Sequence, residues 1–287
     1  MRVVEEGTGR LLGTVDAAAA HATVHDGAVY LHQGTTHVVS RLDLADSVAF
    51  ARVALVDHTT TAREVSSLRL LRTELTRPWG AVQLALGDVE VTSQVVSFLR
   101  RRHLTGEVLG ETPLDLPPRT LTTRAVWWTM PPGVLTAAGL DDGTVPGAAH
   151  AAEHAAIGLL PLVASCDRWD VGGISTALHP DTGAATVVVY DGHEGGAGFA
   201  ARGFACARAW LSATLDAVEA CTCPAGCPSC VQSPKCGNGN EPLDKAGAVR
   251  LLRAVLAHAD EDVAADGTEA EAHGPGPAAG SPARDSA

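Results

Sequence analysis

Lysine is nearly absent from this sequence. Among its 287 residues only Lys235 and Lys245 occur, and neither follows a glycine-rich turn between a strand and a helix. A phosphate-binding loop of the G-x-x-x-x-G-K-[ST] type needs such a lysine beside backbone amides to hold the phosphates of ATP. An acidic box of the D-E-A-H type is missing as well. The sequence therefore predicts a chain that is not an ATPase by itself.

Long apolar segments are also missing. The longest apolar stretch, AAIGLLPLVAS at residues 155–165, is too short to cross a bilayer and contains Pro161. The first residues, MRVVEEGTGRLLG, contain no apolar core of a secretion signal. We therefore expect no membrane association and a cytoplasmic location, where thiols stay reduced.

Positive charge is scarce, because 21 basic residues face 33 acidic ones and the net charge is −12. Residues 260–287 hold seven acidic residues and one arginine, so half of this charge lies there. An acidic chain does not attract phosphate backbones in general, and DNA contact needs a local patch. The candidate patch is FLRRRHL, with Arg100, Arg101, Arg102 and His103, although such a run can also be a solvated face. We expect weak DNA binding by this chain alone.

The first 130 residues contain short apolar runs separated by glycine, aspartate and proline. This alternation is typical of antiparallel strands, and LHQGTTHVV predicts a hairpin that turns at Gly34. From Gly143 onward the pattern becomes helical, with a helix predicted from Pro146 to Ser165. A buried strand in TGAATVVVYDG and two further helices, FACARAWLSATLDAVEA and LDKAGAVRLLRAVLAHA, follow.

Five of the seven cysteines lie between residues 221 and 236. Their spacing is C-x-C-x3-C-x2-C-x5-C, formed by Cys221, Cys223, Cys227, Cys230 and Cys236. In a reducing compartment such a cluster indicates a metal site rather than disulfides. Zinc prefers four thiolates in a tetrahedron, and a site with all four positions filled by protein is structural. The spacing predicts a structural zinc site with five candidates for four ligand positions.

The run from HAAEHAAIGLLPLVASC through the cysteine loop to NEPLDK resembles the C-terminal zinc-binding domain of MrfA-type DEAD/DEAH-box DNA helicases. These are superfamily 2 repair helicases of bacteria, with fungal relatives. The resemblance extends from about His150 to Val255, and GAVYLHQG also resembles the β region that precedes this domain. It implies one zinc ion held by four cysteines, with Cys236 as a spare, and the ligands map onto Cys221, Cys223, Cys227 and Cys230.

A helicase of this family carries two ATP-binding lobes upstream, and this sequence contains the motifs of neither. The resemblance therefore implies an accessory part of a DNA repair helicase that supports DNA engagement or strand separation. Such a part can be a fragment, a split subunit or a freestanding copy. DNA and a helicase motor chain acting in trans are the partners that it implies.

The sequence HAAEH offers an alternative function. His150 and His154 are four residues apart and would share one face of a helix, where both could bind a metal beside Glu153 as general base. Asp191 or Glu194 could provide a third ligand. This arrangement would make the chain a zinc metallohydrolase, whereas the simpler interpretation is a helix whose polar residues pair with neighbouring strands.

The glycine-rich segment DGHEGGAGFAARG lies between a predicted strand and a predicted helix, where backbone amides can hold an anion. It lacks the G-x-G-x-x-G order, and we favour a structural role for Gly192, Gly195, Gly196 and Gly198. Asp191, His193 and Glu194 in this segment could join the HAAEH residues in one polar cluster.

The predicted fold class is α+β. A β-rich region at residues 1–130 precedes an α/β domain with a four-cysteine zinc loop at residues 131–259. Residues 260–287, rich in alanine, glycine, proline and acids, are predicted to be a disordered acidic tail.

Overall fold

The computed structural model describes residues 1–271. Its strands are β1 (Arg2–Glu5), β2 (Leu11–Thr14), β3 (Val29–His32), β4 (Thr35–Asp43), β5 (Val48–Val53), β6 (His58–Trp79), β7 (Val82–Arg102), β8 (Val108–Pro113), β9 (Arg119–Met130), β10 (Val171–Thr176) and β11 (Ala185–Asp191). Its α-helices are α1 (Ala20–Thr23), α2 (Pro132–Ala137), α3 (Val145–Leu159), α4 (Phe199–Ala205), α5 (Ala207–Ala220) and α6 (Lys245–Glu271). Strands dominate the first half and helices the second, which confirms the predicted α+β class.

The first sheet contains five strands in the order β2-β1-β5-β4-β3. The pair β1 and β5 is parallel, and the other neighbours are antiparallel. The hairpin of β3 and β4 turns at Gln33 and Gly34, whose φ angles are 47° and 79°. Two positive φ angles define a type I′ turn, whose twist matches that of the flanking strands. The hairpin predicted at Gly34 is confirmed.

The second sheet is antiparallel, with the order β10-β11-β9-β7-β6 and with β8 paired to β7. Strand β11 lies inside it and is covered on both faces. Val187 and Val189 pack with Trp128 in the cluster beneath the helices, whereas Val188 packs with Trp127 on the opposite face. Successive strand residues point to opposite faces, so a continuous valine run is buried only where both faces are covered. The predicted buried strand is confirmed.

The predicted boundary at residue 130 coincides with the end of strand β9, and the predicted boundary at residue 260 lies within helix α6. Strand β9 ends at Met130 and pairs with β11, so one sheet contains strands from both sides of residue 130. Along the chain, β5 is the last strand of the first sheet and β6 is the first strand of the second. Helix α6 continues beyond residue 260 to Glu271, and residues 272–287 of the predicted tail lie outside the described residues. Within residues 1–271, no helix is both long and apolar enough to cross a membrane.

Helix α3 lies between the second sheet and the other long helices. It ends at Leu159, earlier than the predicted Ser165, and continues as a short 3-10 turn. Pro161 explains the difference, because it has no backbone N–H to donate to the preceding helical turn. Ala156 is fully buried, and its carbonyl accepts a hydrogen bond from Trp210 Nε1 of α5 at 2.8 Å. This contact fixes α5, and with it the start of the cysteine loop.

Candidate metal centre and neighbouring sites

Four of the five clustered cysteines converge at the end of α5. Cys221 caps the C-terminus of α5, and the following loop brings Cys223, Cys227 and Cys230 back to it. The four sulfur atoms all lie within 4.8 Å of one another. Four of the sulfur pairs are separated by 3.5, 3.5, 3.6 and 3.7 Å.

These distances fit a metal and exclude disulfides. A disulfide needs an S–S separation of about 2.05 Å, and all seven cysteines are free. A tetrahedral zinc ion with Zn–S bonds of about 2.3 Å separates its sulfur ligands by about 3.8 Å, close to the observed 3.5–3.7 Å. The four thiols would hold zinc with no position left for water or substrate, so zinc here would cross-link the chain.

Hydrogen bonds and burial shift the pKa values of two of these thiols in opposite directions. Hydrogen bonds lower the pKa of Cys227 to about 7. The largest effect comes from the backbone N–H of Ser229 and the next largest from the thiol of Cys221. Burial raises the pKa of Cys230 to about 12, although the backbone N–H of Cys227 points at its sulfur from 3.3 Å. Without a cation the four thiols therefore cannot all be ionised near neutral pH. A divalent ion removes this obstacle by stabilising every thiolate at once.

The two lysines hold the cysteine loop, a role that the sequence interpretation missed. Lys245, at the start of α6, donates from Nζ to the carbonyls of Cys221 at 2.5 Å and Cys223 at 2.8 Å. Lys235 donates to the carbonyls of Arg168, Trp169 and Val171 at 2.8–3.3 Å, which joins the distal part of the loop to the start of β10. The partners of Lys245 are 22 and 24 positions away and those of Lys235 are 64–67 positions away, so no local sequence pattern identifies them.

The structure brings the spare cysteine to the HAAEH motif. His150 and His154 lie one turn apart on α3, with ring centroids 4.3 Å apart. Their ring nitrogens and Cys236 Sγ form a second group of metal-binding atoms, all within 4.8 Å of one another. Asp191 and Glu194, the predicted third ligands, do not belong to this group. Asp191 is the last residue of β11 and Glu194 lies in the loop that follows it.

The environment of Cys236 favours its thiolate. Burial by itself would raise the pKa of this thiol, but the contact with the His154 ring and hydrogen bonds from the backbone amides of Asn240 and Asn238 outweigh burial and lower the pKa. The Asn240 N–H lies 3.2 Å from the sulfur. The side chain of Asn240 also binds the backbone N–H and C=O of Ser233, which closes the loop around Cys236.

Glu153 does not join the two histidines, and no observation favours the metallohydrolase. Its side chain packs against Gly173 of β10, where an added Cβ atom would lie only 2.8 Å from the carboxylate. Burial raises the pKa of Glu153 to about 7, although a hydrogen bond with Ser175 acts in the opposite direction. Glu153 is thus a helix residue paired to a neighbouring strand, which is the simpler interpretation of the motif.

The glycine-rich segment binds an anion from its own chain. Asp191, at the end of β11, accepts the N–H groups of Ala197 at 2.6 Å, Gly198 at 2.8 Å and Ala200 at 2.7 Å. Gly198 has a φ angle of 90°, which a residue with a Cβ rarely adopts. The amides that could hold an external anion are therefore occupied, in agreement with the structural role predicted for these glycines.

The arginine run does not form one patch. Arg100, Arg101 and Arg102 end strand β7, where successive side chains point to opposite faces. Arg102 is shared by Asp57 and Glu107, each at 3.1 Å. Arg101 donates to the backbone carbonyl of Gly106 at 3.3 Å. Arg100 forms no ion pair with a carboxylate within residues 1–271. Their role in nucleic-acid binding stays a prediction.

The α+β fold and the converging group of four cysteines fit a zinc-binding domain. The profile of one protein family, the MrfA Zn-binding domain, matches residues 152–231, which include all four converging cysteines. The chain belongs to the proteins that carry this domain.

Three similar proteins support this assignment. The uncharacterized ATP-dependent helicase YprA of Bacillus subtilis is 30% identical over 77% of this chain and 29% of its own length. The uncharacterized protein MJ1572.1 of Methanocaldococcus jannaschii is 38% identical over 37% of this chain and 98% of its own length. The crystal structure of the DUF1998 helicase MrfA bound to DNA superposes with a TM-score of 0.63 and 26% identity, over 88% of this chain and 33% of that one. The chain thus spans about a third of the length of these helicases.

Proposed function

We propose that this chain is the zinc-binding C-terminal part of an ATP-dependent DNA helicase that acts in DNA repair. It supports DNA binding or strand separation, and ATP is hydrolysed by residues outside this sequence. The observation that carries this proposal is the closed group of four sulfur atoms inside the matched domain. YprA is named an ATP-dependent helicase, and the similar MrfA structure contains DNA.

The zinc ion would act as a cross-link. Its ligands begin where α5 ends, and Lys245 joins the same loop to the first residue of α6. A site with four protein ligands has no position for a reacting molecule, so its contribution is to the folded state. The loop, α5 and α6 then present one fixed surface to the motor. Seven free thiols suit a reducing compartment, and we place the chain in the cytoplasm.

The arginine run would contribute to DNA binding mainly after assembly with the motor. Arg102 is neutralised by two carboxylates, and Arg100 is exposed without an ion pair in the described residues. The isolated chain, with its net charge of −12, should bind DNA weakly and release it as salt is added. Arg100 is the residue best placed to contact a phosphate.

An unwinding assay tests the proposal directly. A family helicase truncated to its two ATP-binding lobes is measured on forked DNA with and without this chain. We expect the chain to restore or stimulate unwinding and to show no ATPase activity of its own. The Cys227→Ser variant is the control, because it removes one zinc ligand and should lose the effect. The proposal would be contradicted if the chain alone hydrolysed ATP, or if the intact zinc-bound chain left the unwinding rate of the motor unchanged.

A DNA-binding titration tests the arginine run. Alanine at positions 100–102 should weaken binding of the assembled chain and motor, and should lower the salt dependence by about one unit of slope for each phosphate that is no longer bound. The matched control replaces Arg10, Arg41 and Arg52, which lie with the first sheet and carry the same total charge. Equal weakening by both sets would show that only net charge matters.

A further inference from the structure

The second group of metal-binding atoms stands apart from the four-cysteine site. Its members come from α3 and from the distal part of the cysteine loop, and they are His150, His154 and Cys236. The matched family segment at residues 152–231 contains neither His150 nor Cys236. We propose that these three residues bind a second zinc ion.

The orientation of both imidazoles is the first argument. His150 Nδ1 lies 2.8 Å from the carbonyl oxygen of Pro242, and His154 Nδ1 lies 2.9 Å from that of Val231. A carbonyl oxygen only accepts hydrogen bonds, so each Nδ1 carries the proton. Each Nε2 then offers a lone pair. A histidine that binds a metal typically donates its other ring N–H in this way, which fixes its tautomer and its ring plane.

The number of protons is the second argument. Cys236 Sγ lies 3.5 Å from His150 Nε2, and it also lies within hydrogen-bonding reach of the His154 ring. One thiol has one proton, which can satisfy only one of the two nitrogen lone pairs. His154 is nearly fully buried, and an unsatisfied acceptor there costs about 1–3 kcal/mol. A divalent cation satisfies both nitrogens and the thiolate together.

The distances agree with zinc. Bonds of about 2.3 Å to sulfur and about 2.05 Å to nitrogen in a tetrahedron separate these two ligand atoms by about 3.6 Å, and the observed distance is 3.5 Å. Imidazole and thiolate are donors that zinc favours. The backbone N–H of Asn240 donates to the sulfur from 3.2 Å, as amides do around metal-bound thiolates.

Three protein ligands leave a fourth position for water. His150 and Cys236 are each partly exposed, so this position faces the solvent side of the group. The second ion would fasten the loop that contains Cys236 to α3, while the first fastens the preceding cysteines to the end of α5. Each ion would hold a different half of the loop.

Zinc content measured by mass spectrometry on the purified full chain tests the proposal. We expect two zinc ions in the wild type, one in Cys236→Ser, one in His150→Ala and one in Cys227→Ser. The matched controls are Cys206→Ser and His103→Ala, which change the same residue types outside both groups and should keep two. One ion in the wild type, unchanged in Cys236→Ser and in His150→Ala, would overturn the proposal.

X-ray absorption at the zinc edge gives a second measurement that needs no variant. With two ions, the spectrum of the wild type saturated with zinc should contain five sulfur and two imidazole ligands per two ions, because the two groups supply them. With one ion in the four-cysteine site, it should contain four sulfur ligands and no imidazole. A spectrum without imidazole therefore refutes the second site even if a variant fails to fold. Neither measurement depends on helicase activity, so failure of this proposal leaves the proposed function standing.

Discussion

Replacing Lys245 with methionine should weaken zinc binding at the four cysteines without touching a ligand. Methionine keeps most of the length of the side chain and removes the ammonium. The carbonyls of Cys221 and Cys223, now 2.5 and 2.8 Å from Nζ, would lose their donor. Both cysteines are proposed zinc ligands, and the loop that positions them would no longer be fastened to α6.

The magnitude follows from these two bonds. A hydrogen bond to a charged group contributes about 1.5–3 kcal/mol. Cys221 and Cys223 are partly exposed, so water can replace some of each bond, and we take about 3 kcal/mol for the pair. We expect the loop to lose this order without the ion, so the loss of the two hydrogen bonds should fall mainly on the zinc-bound state. Since 1.4 kcal/mol is a factor of ten, zinc affinity should fall about 100-fold.

Competition with a chromogenic chelator measures this affinity, in a Cys236→Ser background so that only the four-cysteine site is followed. Lys235→Met is the matched control. Its ammonium binds carbonyls of residues 168–171 instead of the cysteine carbonyls, so its zinc affinity should change less than about threefold. An equal loss in both variants, or no loss in Lys245→Met, would refute the role given to Lys245.

Three further predictions follow from the site. Cys227→Ser should lose the four-cysteine zinc and unfold at lower temperature, because structural zinc contributes on the order of 10 kcal/mol; an intact melting temperature would contradict this. Zinc affinity should fall as the pH is lowered, because the ligands bind as thiolates, and the fall should become steeper by about one proton per ion below the Cys227 pKa of about 7, as a pH series of chelator titrations would show. Glu153→Gln should raise unfolding free energy by about 3 kcal/mol at pH 8 and by little at pH 4.5. The folded pKa of Glu153 is raised from 4.5 to about 7, so the stability from its protonated form is lost as pH rises through 7. Urea unfolding at the two pH values tests the sign.

Sequence patterns a few residues long predicted the features of this fold that are determined by residues adjacent in the chain. The hairpin at Gly34, the valine run of β11 and the cysteine spacing each encode a backbone requirement within a few positions. The end of α3 was also predictable locally, because Pro161 lies inside the helix predicted to reach Ser165. The helix ends at Leu159, as the missing N–H of Pro161 requires.

Long-range placement was not predictable in this way. Cys236 and His150 are 86 positions apart, and nothing in either segment indicates that they meet. Nothing in the sequence spacing required Asp191 or Glu194 as a third ligand, and in the fold the carboxylate of Asp191 accepts the amides of Ala197, Gly198 and Ala200. The pairing of β9 with β11 across residue 130 is equally nonlocal. Such contacts are determined by the packing of the whole domain.

The use of both lysines within the cysteine loop has a practical consequence for chemical modification. The chain has no other lysine, and each ammonium already donates to backbone carbonyls. Reagents that acylate lysine side chains, including fluorescent esters and cross-linkers, would therefore modify only lysines that hold the cysteine loop. An acyl group on Lys245 removes the charge that holds the carbonyls of Cys221 and Cys223, so lysine labelling should weaken the proposed zinc site and a fluorophore there would report on an altered loop.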